Sequence, residues 1–315
     1  VKLERDKWRR DIFPYLTSEL KEALRRLPAG EAAEEIRLRA GQAPLVQTGG
    51  REIALAGVTV SPAGLHQVLM LITEHSLYAR DEELKRGYLS LPGGHRAGFA
   101  GRAVVEGGAV KLLRDISGIN IRVAREVKGA GEKLLPQLFC PKKGTVLHTL
   151  LISPPQAGKT TVLRDLARLL SETGFKVGIV DERSELAGCY GGVPQLDVGP
   201  RTDVLDGCPK AEGMMMLVRS MSPQVVVTDE LGRPEDVCAV EEVINSGATV
   251  LASVHGGSVE EAARRPALAR LISAGMFERV VVLSRRAGPG TVEAVLGGEE
   301  AARRSHRRGK AHAAG

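Results

Sequence analysis

One short segment limits this chain more than any other: Ser153-Pro154-Pro155-Gln156-Ala157-Gly158-Lys159-Thr160-Thr161. A strand-type run, Leu147 to Ile152, leads into it, and Lys159 to Leu170 continues from it with helical spacing of apolar residues. A strand, a tight turn ending in Gly-Lys-Thr and then a helix is the pattern of a phosphate-binding loop, with Ser153 where the first glycine usually stands. The physics is local. Backbone N–H groups at the turn and at the helix start face one concavity and attract phosphate oxygens. Gly158 lets the backbone come close. Lys159 reaches the β- and γ-phosphates, and the Thr160 hydroxyl is placed to ligate Mg²⁺. The expected ligands are ATP and Mg²⁺. If position 153 needed a positive φ, serine would be strained there.

From about Gly144 onward, strand-like and helix-like segments alternate, which predicts an α/β unit with a parallel-rich central sheet covered on both faces. Three further segments fall at predicted strand ends, the edge where open α/β sheets bind ligands. Val225-Val-Val-Thr-Asp229-Glu230 is an apolar strand closing on two carboxylates. Asp229 is placed for Mg²⁺, and Glu230 is the candidate base that orients or deprotonates the attacking water. Asp181-Glu-Arg-Ser-Glu185 is an acidic turn. Ser253-Val-His255-Gly-Gly-Ser258 offers His255 as a γ-phosphate sensor or a polariser of water.

The front of the chain reads differently. An amphipathic helix over Asp6–Leu27 should end at Pro28 and Gly30, and short strands and turns follow. Strands are expected near Arg102–Val105 and Val110–Leu113, with another from Ser117. This predicts a smaller α+β domain over residues 1–130, ahead of the ATPase domain at 131–298. Residues 299–315, rich in Ala, Arg and Gly, lack an apolar period and read as a basic disordered tail.

Charge follows the same division. The formal net charge of +6 is uneven: +5 over residues 1–139, −2 over 140–298 and +3 over 299–315. Basic surface attracts phosphate backbones, which favours a nucleic-acid-dependent ATPase of the same class as an alternative. Aromatics make up only 3% of the chain, which argues against a base-stacking surface, so nucleic acid is not the favoured partner. Ser153 is the one support for a third reading, a scaffold that binds nucleotide without hydrolysing it. No apolar run approaches the roughly 20 residues of a transmembrane helix, so the expected location is cytoplasmic, with membrane contact through partners. The basic N-terminal residues, among them Lys2 and Arg5, and the tail are candidates for contact with anionic lipid. The four cysteines are widely spaced, with no zinc-site spacing.

Longer motifs carry a resemblance. Asp181 to Glu185, Val198-Gly-Pro-Arg-Thr-Asp-Val-Leu-Asp206, Cys208-Pro-Lys-Ala and Met214-Met-Met lie in one half. Glu35-Ile-Arg-Leu-Arg39, Ser76-Leu-Tyr-Ala-Arg80, Gly93-Gly-His-Arg96 and Asn120-Ile-Arg-Val-Ala-Arg125 lie in the other. Together they resemble the stage III sporulation protein AA family of endospore-forming bacteria, over nearly the whole chain to about residue 298. That family is similar to the secretion and pilus traffic ATPases, RecA-like P-loop motors. The resemblance implies a RecA-like fold, ATP hydrolysis and a homo-oligomer, by family habit a hexamer. It implies service to a transenvelope channel between mother cell and forespore, with membrane proteins of a secretion-like complex as partners. It also assigns Glu185 to a catalytic acidic box and makes Arg96, Arg114, Arg201 and Arg219 candidate arginine sensors.

Overall fold

The computed structural model describes residues 7–27, 33–76, 81–85, 87–140 and 144–306. The expected helix end at Pro28 and Gly30, the basic residues Lys2 and Arg5, and most of the Ser76–Arg80 motif lie outside them. The chain forms two units, Val1–Arg125 with Gly188–Gln195, and Glu126–Ala187 with Leu196–Gly315. The division thus falls at Arg125 rather than at residue 130. The segment Gly188–Gln195 returns to the first unit from the middle of the second, a feature with no counterpart in the sequence reading.

In the first unit, α1 (Lys7–Ile12) and α2 (Ser18–Arg25) bury Trp8, Ile12, Leu20 and Leu24. The Thr17 hydroxyl caps α2 by accepting the Leu20 N–H at 3.4 Å. The strands are β1 (Ala33–Arg39), β2 (Leu45–Thr48), β3 (Arg51–Ala54), β4 (Tyr88–Leu91), β5 (His95–Glu106) and β6 (Ala109–Arg122), and the helices between them are α3 (Pro62–Ile72) and α4 (Asp81–Lys85). The strands make one sheet in the order β3-β2-β1-β6-β5-β4, with every pair antiparallel. The separate strands expected around 102–105, 110–113 and 117 onward are one continuous hairpin, β5–β6. The Gly93-Gly-His-Arg96 motif serves this sheet. His95 is 3% exposed, and its Nδ1 accepts the Ala124 N–H at 2.9 Å. The ring proton therefore sits on Nε2, which lies 3.6 Å from Asp11 Oδ2. Burial holds the His95 pKa below its ordinary value, and Asp11 only partly opposes that.

The second unit is built on β7 (Thr149–Ser153), β8 (Val177–Asp181), β9 (Thr202–Asp206), β10 (Val225–Thr228), β11 (Thr249–His255), β12 (Arg279–Ser284) and β13 (Thr291–Gly297). Their order is β13-β12-β7-β11-β10-β8-β9, parallel throughout except for β13. Every residue of β7, β8 and β10 is buried, as strands covered on both faces require. Strand β9 was not read from the sequence: its Thr-Asp-Val-Leu-Asp pattern is too polar to stand out, and pairing with β8 recruits it. The helices are α5 (Lys159–Glu172), α6 (Lys210–Met221), α7 (Pro234–Asn245), α8 (Val259–Ala262), α9 (Pro266–Ser273) and α10 (Gly298–His306). Helix α6 approaches β8 so closely that a Cβ on Gly213 would lie 2.5 Å from Val180 Cγ1. Helix α10 corrects the expectation of disorder from residue 299. It buries Ala301 in the core, pairs Arg304 with Glu300 at 2.7 Å, and sets Ser305 Oγ 3.1 Å from Ser273 Oγ. A single small buried residue leaves no apolar period to read. Residues 307–315 lie outside the described residues.

Two stability effects follow. Gly213→Ala gains helix propensity of about 1 kcal/mol, but overpacking against Val180 costs about 1–3 kcal/mol. The thermal midpoint of the second unit is expected to fall. For His95, the depressed folded pKa means that below its ordinary pKa the unfolded chain binds more protons than the native one. Stability is therefore lost as pH falls through about 6.5, by at most about 1.4 kcal/mol per pH unit for one such group. Urea melts of the first unit between pH 7 and pH 5 should show this slope, and His95→Asn, whose amide oxygen can still accept from Ala124, should flatten it. In the second unit His148 is also held low, again by burial, and contributes in the same direction.

Candidate functional site

Because β7, β8, β10 and β11 run parallel, their carboxyl ends share one edge, and the sequence-predicted boxes meet there. Ser153 is the last residue of β7 and is fully buried. Its backbone is not left-handed. Positive φ falls instead on Gln156 (58°) and Gly158 (83°), so the strain anticipated at Ser153 does not arise. The Ser153 hydroxyl donates to the Pro154 carbonyl at 3.0 Å. The turn between β12 and β13 packs onto the loop: the Gly290 N–H donates to the Ala157 carbonyl at 2.7 Å. A Cβ on Gly158 would lie 2.8 Å from that same Gly290 nitrogen, so conformation and space both demand glycine. Helix α5 starts at Lys159, with Thr160 and Thr161 in its first turn.

Glu230 is the centre of the charge arrangement. Its Oε1 accepts from Lys159 Nζ at 3.1 Å and from His255 Nε2 at 2.7 Å, while Oε2 accepts from Arg183 Nη1 at 3.0 Å. Since the carboxylate only accepts, His255 carries its proton on Nε2. Burial works to raise the Glu230 pKa, but Lys159 and His255 overcome it, and the carboxyl is held below its ordinary value. Its backbone is left-handed, φ 49°, and its N–H is fixed by Ser253 Oγ at 3.1 Å. Strained backbone of this kind gathers at functional sites. Lys159 is 5% exposed. Burial lowers its pKa against the pull of Glu230, Asp229 and Glu185. Glu185 therefore stands within electrostatic reach of Lys159.

Asp229 is 2% exposed, and its Oδ2 has no hydrogen-bond partner among the described residues. Burial, reinforced by Asp181, pushes its pKa up to about 6. An orphaned buried carboxylate on the strand-end edge that also carries Lys159 fits a cation. Among the described residues, no cluster of three or more His, Cys, Asp or Glu side chains is arranged to hold a metal. A Mg²⁺ here would be held in its common manner, by one or two protein oxygens with phosphates and water. Asp181, by contrast, is used by the fold: its carboxylate accepts the Glu185 and Ala187 N–H groups, each at 2.8 Å, and fixes the acidic turn.

Of the candidate arginines, the two in this unit, Arg201 and Arg219, lie away from this edge. Arg201 immediately precedes β9, and Arg219 lies in the last turn of α6, which descends from the carboxyl edge. Both stand at the amino edge of the sheet, away from the turn at residues 153–158 of their own unit. Arg96 stacks on the Tyr88 ring at 3.4 Å in the first unit, and Arg114 pairs in register with Arg102 on the exposed β5–β6 hairpin. Two arginines at the site were passed over by sequence reasoning. Arg183 lies inside the acidic turn that was singled out for its carboxylates. Arg285, on the β12–β13 turn, donates to Gln156 Oε1 at 3.4 Å and belongs to no motif.

Comparison with known proteins agrees with this architecture. The chain is 46% identical over 293 residues to "Stage III sporulation protein AA" of Bacillus subtilis (strain 168), covering 90% of this chain and 94% of that protein. Among solved structures it is similar to the ATPase DotB of Yersinia pseudotuberculosis, with a TM-score of 0.59, 14% identity, and coverage of 95% of this chain and 85% of that one. It is also similar to the pilus retraction motor PilT with bound ADP, with a TM-score of 0.55, 15% identity, and coverage of 84% and 76%. At these identities the structural likeness shows the fold, a RecA-like α/β unit preceded by a sheet domain. The family described as "Sporulation stage III, protein AA" matches residues 6–302, and this chain belongs to that family.

Proposed function

We propose that this chain is an ATP-binding and ATP-hydrolysing motor of the secretion-ATPase type. The observation that carries the reading is the meeting of Lys159, Glu230 and His255 within hydrogen-bond distance beside the phosphate loop, with Asp229 buried and unpartnered behind them. In this reading the loop N–H groups and Lys159 bind the phosphates, and Thr160 and Asp229 hold Mg²⁺. Mg²⁺ bound there supplies charge neutralisation for the phosphates. Lys159 leaves Glu230 when phosphate arrives. Glu230, still held by His255 and Arg183, then positions the attacking water and takes its proton. The contacts from His255 and Arg183 hold the Glu230 carboxylate in place to accept that proton.

The family and the named activities of the structural neighbours support the wider role: a homo-oligomer, taken as a hexamer, that energises a transenvelope sporulation complex through membrane-protein partners. No helix among the described residues is long and apolar enough to cross a membrane, which suits attachment through partners on the mother-cell side.

Phosphate release from ATP and Mg²⁺ by the purified chain tests the central claim. Lys159→Ala should weaken nucleotide binding about 100-fold by removing a buried charge-assisted contact. Glu230→Gln should keep nucleotide affinity while hydrolysis falls about 10²–10⁴-fold. Wild-type turnover in Glu230→Gln would remove Glu230 from the role of base. Added DNA or RNA should leave the rate unchanged across a salt series.

A further inference from the structure

The Met214-Met-Met motif is not explained by the nucleotide site. Met214 is fully buried, but Met215 and Met216 line an open groove of about 610 Å³ on the outer face of α6 and α7. Each helix gives the groove one stripe at the same spacing. From α6 these are Ala211, Glu212, Met215, Met216 and Arg219, and from α7 Pro234, Glu235, Cys238, Ala239 and Glu242. Positions i, i+1, i+4, i+5 and i+8 form a single helical face, so the groove runs about 12 Å along both helices. Its floor is apolar. Met216 remains 52% exposed, an unusual state for a large apolar side chain placed among others of its kind.

The rim is acidic. Glu212, Glu235 and Glu242 face Arg219 as the one lining cation, and among the described residues none of these four takes part in an ion pair. Glu212 and Glu235 lie in the first turns of their helices, where the helix dipole favours negative charge. An adaptable methionine floor inside a carboxylate rim is the complement of a helix with one apolar face and basic flanks. We propose that the α6–α7 groove is a docking site for a basic amphipathic helix of a partner protein. The docking surface stands apart from the nucleotide chemistry and does not depend on it.

The test uses the full chain labelled with [methyl-¹³C]methionine, whose six methionine signals are assigned by single Met→Leu changes. Two amphipathic peptides of about 15 residues, long enough to hold a helix, are titrated in: one of Leu and Lys, the other with every Lys replaced by Glu. The Leu/Lys peptide should move the Met215 and Met216 methyl signals, shield Cys238 from a maleimide, and bind more weakly as salt rises. The Leu/Glu peptide should do none of these. Met216→Asp, at an exposed position, should lower affinity for the Leu/Lys peptide about tenfold or more, with an unchanged circular dichroism spectrum. Glu212→Lys with Glu235→Lys should transfer binding to the Leu/Glu peptide. Equal response to both peptides, shifts centred on Met70 or Met276, or unchanged affinity in Met216→Asp would each overturn the proposal. So would a larger species, seen by sizing, that Met216→Asp dissolves, because a second copy of the chain would then cover the groove.

Discussion

The parallel alignment of β7, β11, β10 and β8 is the constraint on which the second unit rests. Parallel strands need crossover helices, and those helices bury both faces of the sheet, so the strands are nearly continuous apolar runs. The same alignment gives the sheet a polarity. All four carboxyl ends open on one edge, and four segments far apart in sequence deliver a lysine, two adjacent carboxylates, a histidine and an acidic turn to that edge. Arginines at the opposite edge, however suggestive in sequence, are removed from the site by the length of a strand.

Charge at that edge is balanced through Glu230. Three donors, Lys159, His255 and Arg183, share its two oxygens, and Lys159 and His255 outweigh the burial that would neutralise it. Asp229, one residue earlier, lacks such donors and is pushed up to about 6 by burial and by Asp181. Two neighbouring carboxylates are thus driven in opposite directions by their surroundings, an arrangement that separates a buried carboxylate from one engaged by cations. Part of the strain is visible in the left-handed backbone of Glu230, Ser184 and Gln156.

The first unit shows how a motif that looks functional can belong to the fold. Gly93-Gly-His-Arg96 places His95 in the core, where it accepts from Ala124 and faces Asp11, and stacks Arg96 on Tyr88. The Met214-Met-Met motif divides between the two purposes, one methionine in the core and two in the groove. Helical spacing decides this, since successive residues point about 100° apart.

Sequence alone determined the features that are local. A strand, a Gly-Lys-Thr turn and a helix specify the turn from β7 into α5, and an apolar strand closing on Asp229-Glu230 specifies carboxylates at a sheet edge. Each pattern depends only on residues adjacent in the chain. Tertiary structure decided what depends on distant segments. Strand β9 forms because β8 offers it an edge. Helix α10 forms over one buried alanine and a few polar contacts, and Gly188–Gln195 joins the first unit. Arg183 and Arg285 reach the site although no spacing rule marks them, and Arg201 and Arg219 are carried away from it. Sheet order and polarity settle these outcomes, and neither is written in any single stretch of the chain.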